Sequence, residues 1–128
     1  MILDSSVIVA IALREPGYEG LVDKMRSAEA LGVGAPTLTE AGMVLSGRLG
    51  IEPQALLDRF LRDFGVVPVV FGERHWREAL EAFWRFGKGR HAASLNFGDC
   101  LSYAVAKLSG HPLLFVGDDF SRTDIEVA

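Results

Sequence analysis

The residues best suited to chemistry in this sequence are acids, and they lie far apart along it. Asp4 stands in "MILDSS", behind three apolar residues; Glu40 stands in "TLTEAG", Asp99 in "NFGDCL", and Asp118 and Asp119 in "FVGDDF". A carboxylate at the margin of an apolar segment is costly unless something compensates its charge. Four or five carboxylates gathered at one place repel one another, and a divalent cation removes that repulsion. A donor set made of oxygen alone suits Mg²⁺ or Mn²⁺. Zinc is disfavoured, because Cys100 and the three histidines show no ligand spacing.

Each acid also has a plainer use. Asp4 suits the N-cap of a helix beginning at Ser5 or Ser6. Thr37 and Glu40 form T-x-x-E, a capping box. Asp99 can cap its own helix, sharing the task with Asn96, and Asp118 with Asp119 suits an ordinary turn. Taken singly, the cap reading holds for each. Taken together it weakens, because the starts of helices and turns can converge on one edge of a sheet, where so many carboxylates repel one another.

The elements that must position them alternate. "MIL" at 1–3 reads as a first strand, "SSVIVAIALRE" as a helix closed by Pro16 and Gly17, and about 18–30 as a second helix. "LGVGAP" is a weak strand, and a helix follows from Thr37. "EPQALLDRFLRDF" is amphipathic, with Leu57, Phe60, Leu61 and Phe64 at i, i+3, i+4 and i+7. "VVPVVF" at 66–71 is a strand in which Pro68 predicts an edge position or an irregularity. The next helix repeats the spacing with Trp76, Ala79, Leu80 and Phe83; a glycine-bearing polar loop leads to "GDCLSYAVAKLSG", a helix closed by Gly110. "PLLFV" is a buried strand, and "IEV" at 125–127 a candidate final one. Strands alternating with helices predict an α/β fold with a mostly parallel central sheet of four to five short strands covered on both faces, an α/β/α sandwich. In such a sheet, ligands bind outside the carboxyl ends of the strands, the edge where these acids can converge.

Composition narrows the class. The chain has 128 residues, 49% of them hydrophobic, which predicts one compact domain over 1–128 with a sizeable core. Its 17 acids against 13 Lys and Arg give a net charge of −4, so any nucleic-acid contact must be local rather than a property of the whole surface. A single cysteine allows no intrachain disulfide, no apolar run is long enough for a membrane span, and the N-terminus lacks the basic region of a signal peptide. A cytoplasmic protein without membrane contact is the expectation.

The same residues carry a resemblance. "MILDSSVIVAIAL", "APTLTEAGMVL", "GKGRHAASLNFGDCLSYAVAK" and "PLLFVGDDFSRTDI" resemble a PIN-domain ribonuclease of the VapC type, the toxin of a bacterial toxin–antitoxin pair, almost end to end. The pairing of "LNFGDCLSYAVAK" with "LLFVGDDFSRTDI" is the most specific part. The resemblance implies a Mg²⁺- or Mn²⁺-dependent endoribonuclease that cuts structured RNA, often tRNA, as a homodimer held inactive by a small cognate antitoxin. The family's first acid falls on Asp4, its second on Glu40, its third on Asp99 and its fourth on Asp118. The fourth usually follows a Thr, here replaced by Val116, and whether Asp118 or its neighbour Asp119 faces the metal is open. Ser5 and Ser6 match small hydroxyl positions that orient the first acid.

Phosphodiester hydrolysis needs an in-line water, neutralised phosphate charge and help for the leaving oxygen, all of which bound metal supplies. Asp4 and Asp99 are the expected direct ligands; Glu40, Asp118 and Asp119 are left for a second ion or water-mediated contact, with Glu40 the preferred proton acceptor. Arg85, Lys88, Arg90 and His91 form a local basic stretch for RNA or for the antitoxin. Trp76 and Trp84 read as core and interface, with base stacking as the other use. Cys100 reads as a packed thiol and Phe120 as the anchor of the "GDDF" turn. A phospho-acceptor receiver domain would need an Asp ending the central strand and a Lys ending a late one; "VPVVFGE" and "LLFVGDD" supply neither. A dehalogenase-like phosphatase would show D-x-D after the first strand, where "DSS" stands. The remaining alternative is a PIN-fold binding module that works through antitoxin or RNA binding with little catalysis.

Overall fold

The computed structural model describes residues 1–128. Strand β1 (Ile2–Leu3) leads directly into helix α1 (Ser5–Ala12), followed by α2 (Tyr18–Ser27) and β2 (Leu31–Gly34). Helices α3 (Ala35–Leu49) and α4 (Gln54–Phe64) precede β3 (Val66–Val69), and α5 (Glu73–Phe86) and α6 (Phe97–Ser109) precede β4 (Leu113–Leu114). The sheet order is β3-β2-β1-β4. Every pairing is parallel, with Ile2 beside both Gly32 and Leu113.

Alternation along the strands sorts the core onto two faces. Ile2 and Leu113 belong to a cluster with Ala79, Ala82 and Phe86 of α5 and Tyr103, Ala104 and Val105 of α6. Their neighbours Leu3 and Leu114 belong to the opposite cluster, with Val7 and Ile8 of α1, Leu45 of α3 and Phe60 of α4. The molecule is thus a three-layer α/β/α sandwich, with α1–α4 on one face and α5–α6 on the other. Pro68 lies in β3, paired with Val33 at the end of the sheet, where a missing N–H disturbs no further strand.

Three sequence expectations are corrected. The segment 125–127 forms no strand; Val127 makes one isolated bridge to Leu113, so the sheet has four strands. Helix α3 begins at Ala35, with Pro36 in its first turn and Gly34 as its N-cap, so Thr37 caps nothing. Helix α5 buries Ala79, Ala82 and Phe86, whereas Trp76 (45% exposed), Leu80, Phe83 and Trp84 (65% exposed) face outward. The small alanines let α5 approach α6 closely, and the bulky side chains are displaced to the rim of that contact.

Candidate metal centre

All four strands run the same way, so the residues that follow β1, β2 and β4 emerge at one edge of the sheet. Helix α6 precedes β4 and returns antiparallel to it, which brings the start of α6 to that same edge. Asp4 therefore meets Asp99 across 95 residues of chain because of topology alone.

Asp4 does cap α1: its backbone is extended (φ −80°, ψ 159°) and its Oδ2 accepts from the Ser6 N–H at 3.1 Å. The Ser6 hydroxyl donates to the same oxygen at 2.6 Å and accepts from the Val116 N–H at 3.0 Å, tying the loop after β4 to the end of β1. Oδ1 accepts from the Ser102 hydroxyl at 2.6 Å. The carboxylate is 6% exposed and fixed through both oxygens. Where the family has a Thr, Val116 thus contributes its main chain. Ser5 makes no side-chain hydrogen bond to Asp4, so only the second of the two expected hydroxyls orients it.

Asp99 is held by a reciprocal capping box. The Asn96 Oδ1 accepts from the Asp99 N–H, and the Asp99 Oδ2 accepts from the Asn96 N–H, each at 2.9 Å. The cap reading and the cluster reading are both true of this residue. Burial pushes the Asp99 carboxyl up to about 6; the Asn96 N–H opposes that, and the charges of Asp119, Asp4 and Glu40 add to it. Those three acids are therefore near enough to repel it.

Glu40 is not part of a capping box, because Thr37 is buried (1% exposed) and its Oγ1 lies 3.4 Å from the Ser102 Oγ. The Glu40 side chain rests against the first turn of α6: a Cβ added at Gly98 would overlap its carboxylate and lie 2.9 Å from its Cδ. Gly98 leaves the Glu40 carboxylate room against α6, and a side chain there would displace it. Asp118 and Asp119 are both exposed, and the Ser121 hydroxyl donates to the Asp118 carboxylate within their turn. Phe120 anchors that turn in the core at 1% exposure. Asp119 leads the charges acting on Asp99.

None of these five acids takes part in an ion pair. Of the basic stretch, Arg85 instead pairs with Asp124 at 3.5 Å, and Arg90 lies over the Trp84 ring at 4.1 Å. His91 is used locally, its Nδ1 accepting from the Ala93 N–H at 3.0 Å, while Lys88 is exposed. Cys100 is buried, and burial pushes its thiol up to about 11, as befits a packed rather than a reactive group. Sequence reasoning missed Ser102 and the burial of Thr37. The one available signal was the spacing of Asp99 and Ser102, three apart on one helix face.

A hard divalent cation suits this donor set, which is all oxygen, crowded with like charge and free of internal counter-charge. No three of the side chains converge closely enough to enclose an ion by themselves. Asp4 and Asp99 are the two buried acids of the group, and the charges of Glu40 and Asp119 reach Asp99.

The parallel α/β/α fold with acids gathered at its strand ends is one that comparison with known proteins names. The PIN-domain family profile matches residues 1–126. Ribonuclease VapC36 of Mycobacterium tuberculosis is 40% identical over 127 residues, covering 98% of this chain and 91% of that one. Among solved structures, the M. tuberculosis toxin VapC20, which cleaves the sarcin–ricin loop, superposes with a TM-score of 0.79 at 17% identity, over 99% of this chain and 97% of that one. A toxin–antitoxin complex from Klebsiella pneumoniae superposes at 0.73 and 12% identity, over 99% and 95%. The chain belongs to the PIN-domain family, among the VapC ribonucleases.

Proposed function

We propose that this protein is an endoribonuclease toxin that cleaves structured RNA in the cytoplasm with Mg²⁺ or Mn²⁺ bound between Asp4 and Asp99. The observation that carries the reading is the acid cluster without counter-charge at the strand ends of a VapC-type fold. When bound, the ion supplies neutralisation of the scissile phosphate and a more acidic water. The protein's own groups do the rest. Ser6 fixes the Asp4 carboxylate, and Asn96 fixes that of Asp99. Glu40 accepts no hydrogen bond within the protein, so its lone pairs are free to take a proton from the attacking water. Asp119, rather than the turn-bonded Asp118, is the fourth acid of the site.

RNA contact falls to Lys88 and to Arg90 with Trp84, since cation and exposed ring together offer both phosphate and base a partner. A cognate small antitoxin and a homodimer complete the reading. Kinship with VapC ribonucleases supports the antitoxin. Association is supported by an all-apolar groove of about 440 Å³ between Trp76, Leu80, Phe83 and Phe97, of which Phe97 is 80% exposed. No helix is long and apolar enough to cross a membrane.

The test is incubation of the purified protein with total RNA in Mg²⁺, in Mn²⁺ and in EDTA. Cleavage with metal and none in EDTA is expected; cleavage indifferent to EDTA, or none with either metal, refutes the mechanism. Light scattering and co-purification with a small protein encoded beside this one test the partners, and a monomer that ignores such a protein refutes them.

A further inference from the structure

Ser102 lies three residues after Asp99 on α6 and is 1% exposed. A buried hydroxyl has one proton to give and must place it. Two oxygens are within reach: Asp4 Oδ1 at 2.6 Å and Thr37 Oγ1 at 3.4 Å. The Asp4 contact is far the shorter of the two, so the Ser102 proton goes to Asp4 Oδ1. The Thr37 hydroxyl, itself buried, is then the one that donates to the Ser102 oxygen. The result is a one-way chain, Thr37 to Ser102 to Asp4, that joins α3, α6 and the end of β1. It meets the Asp4 carboxylate at the oxygen Ser6 leaves free.

We propose that Ser102 is a positioning residue, which holds Asp4 Oδ1 so that the Asp4 and Asp99 carboxylates present themselves to one cation at a spacing set by α6. Helix α6 thereby supplies one carboxylate and aims the other. Had packing alone been required, an alanine or valine would fill the site without a hydroxyl to satisfy. The inference rests on the metal reading above and goes beyond it, because Ser102 touches neither ion nor RNA.

Mn²⁺ binding to the metal-free protein tests it, read by calorimetry and by the electron paramagnetic resonance signal of the unbound ion, with apo thermal melting alongside. Ser102→Ala should weaken Mn²⁺ affinity by about 10- to 100-fold, the usual cost of losing a group that orients a metal ligand, while melting cooperatively. Thr37→Val should weaken it less, because Asp4 keeps its donor. Should Ser102→Ala fail to fold, Ser102→Cys keeps the shape of the side chain, slightly enlarged, with a poorer donor and should bind Mn²⁺ more weakly than wild type. A folded Ser102→Ala or Ser102→Cys variant that lowers the melting temperature but binds Mn²⁺ like wild type overturns the positioning role and leaves the metal reading intact. Wild-type protein that binds no Mn²⁺ overturns both.

Discussion

Helix α6 meets a carboxylate at each end, and the two are treated in opposite ways. Near its C-terminal end, Asp124 accepts from the Tyr103 hydroxyl at 2.6 Å and from the Lys107 ammonium at 2.9 Å, with the Arg85 guanidinium at 3.5 Å. These partners, the Tyr103 hydroxyl first, hold its carboxyl down at about 2. At the N-terminal end Asp99 has only main-chain and like-charge neighbours, and its carboxyl rises to about 6. The same chain that encloses one acid in cations leaves four others together without any. No ion pair within the chain compensates the charge at that edge.

Asp99→Asn should break this contrast most severely. The amide keeps the size and the cap, so folding persists while cleavage falls by more than the ~100-fold typical of disturbing a group behind a metal ligand. Turnover of labelled RNA beside a circular dichroism melt checks both halves. Gly98→Ala is expected next. Its methyl would displace the Glu40 carboxylate, cutting cleavage by about 10-fold or more. Gly98 is the second residue of α6, so the melting temperature should change little while activity falls.

At the other end of the helix, Tyr103→Phe removes a donor to Asp124 and should cost about 1 kcal/mol in denaturant unfolding, with cleavage unchanged.

The smallest effects are in pH. Asp124, held low, contributes stability that is present above pH 4 and is lost as pH falls toward 2. Asp99, held high, has the reverse sign: the native state takes up its proton as pH falls through about 6, so this group's contribution improves between pH 6 and 4. Metal-free melting curves of wild type, Asp99→Asn and Asp124→Asn across that range should separate the two.

Much of this was legible in the chain. The acids, their place at helix starts and the parallel sheet follow from short apolar strands alternating with helices, and Pro68 marked the sheet edge. What was not legible depended on tertiary packing. On α5 the spacing picks out Ala79 correctly but places Trp76, Leu80 and Phe83 beside it, whereas close helix contact uses Ala79 and Ala82 and turns the bulky side chains outward. Thr37 and Glu40 spell a capping box, yet Pro36 permits the helix to start earlier, which buries Thr37 and frees Glu40. Ser102 reads as an ordinary helical serine until β1 is laid beside α6. Asp118 and Asp119 are indistinguishable as letters; in the structure only Asp118 accepts from the Ser121 hydroxyl.

The most direct measurement is thermal melting of the metal-free protein with and without millimolar Mn²⁺, for wild type, Asp99→Asn and Asp124→Asn. A ligand at about 100 times its Kd stabilises the native state by about 2.7 kcal/mol. The account predicts a rise in melting temperature for wild type and for Asp124→Asn, and little or none for Asp99→Asn. No rise in wild type, or an equal rise in all three, would contradict the claim that a cation supplies the charge missing at the strand ends.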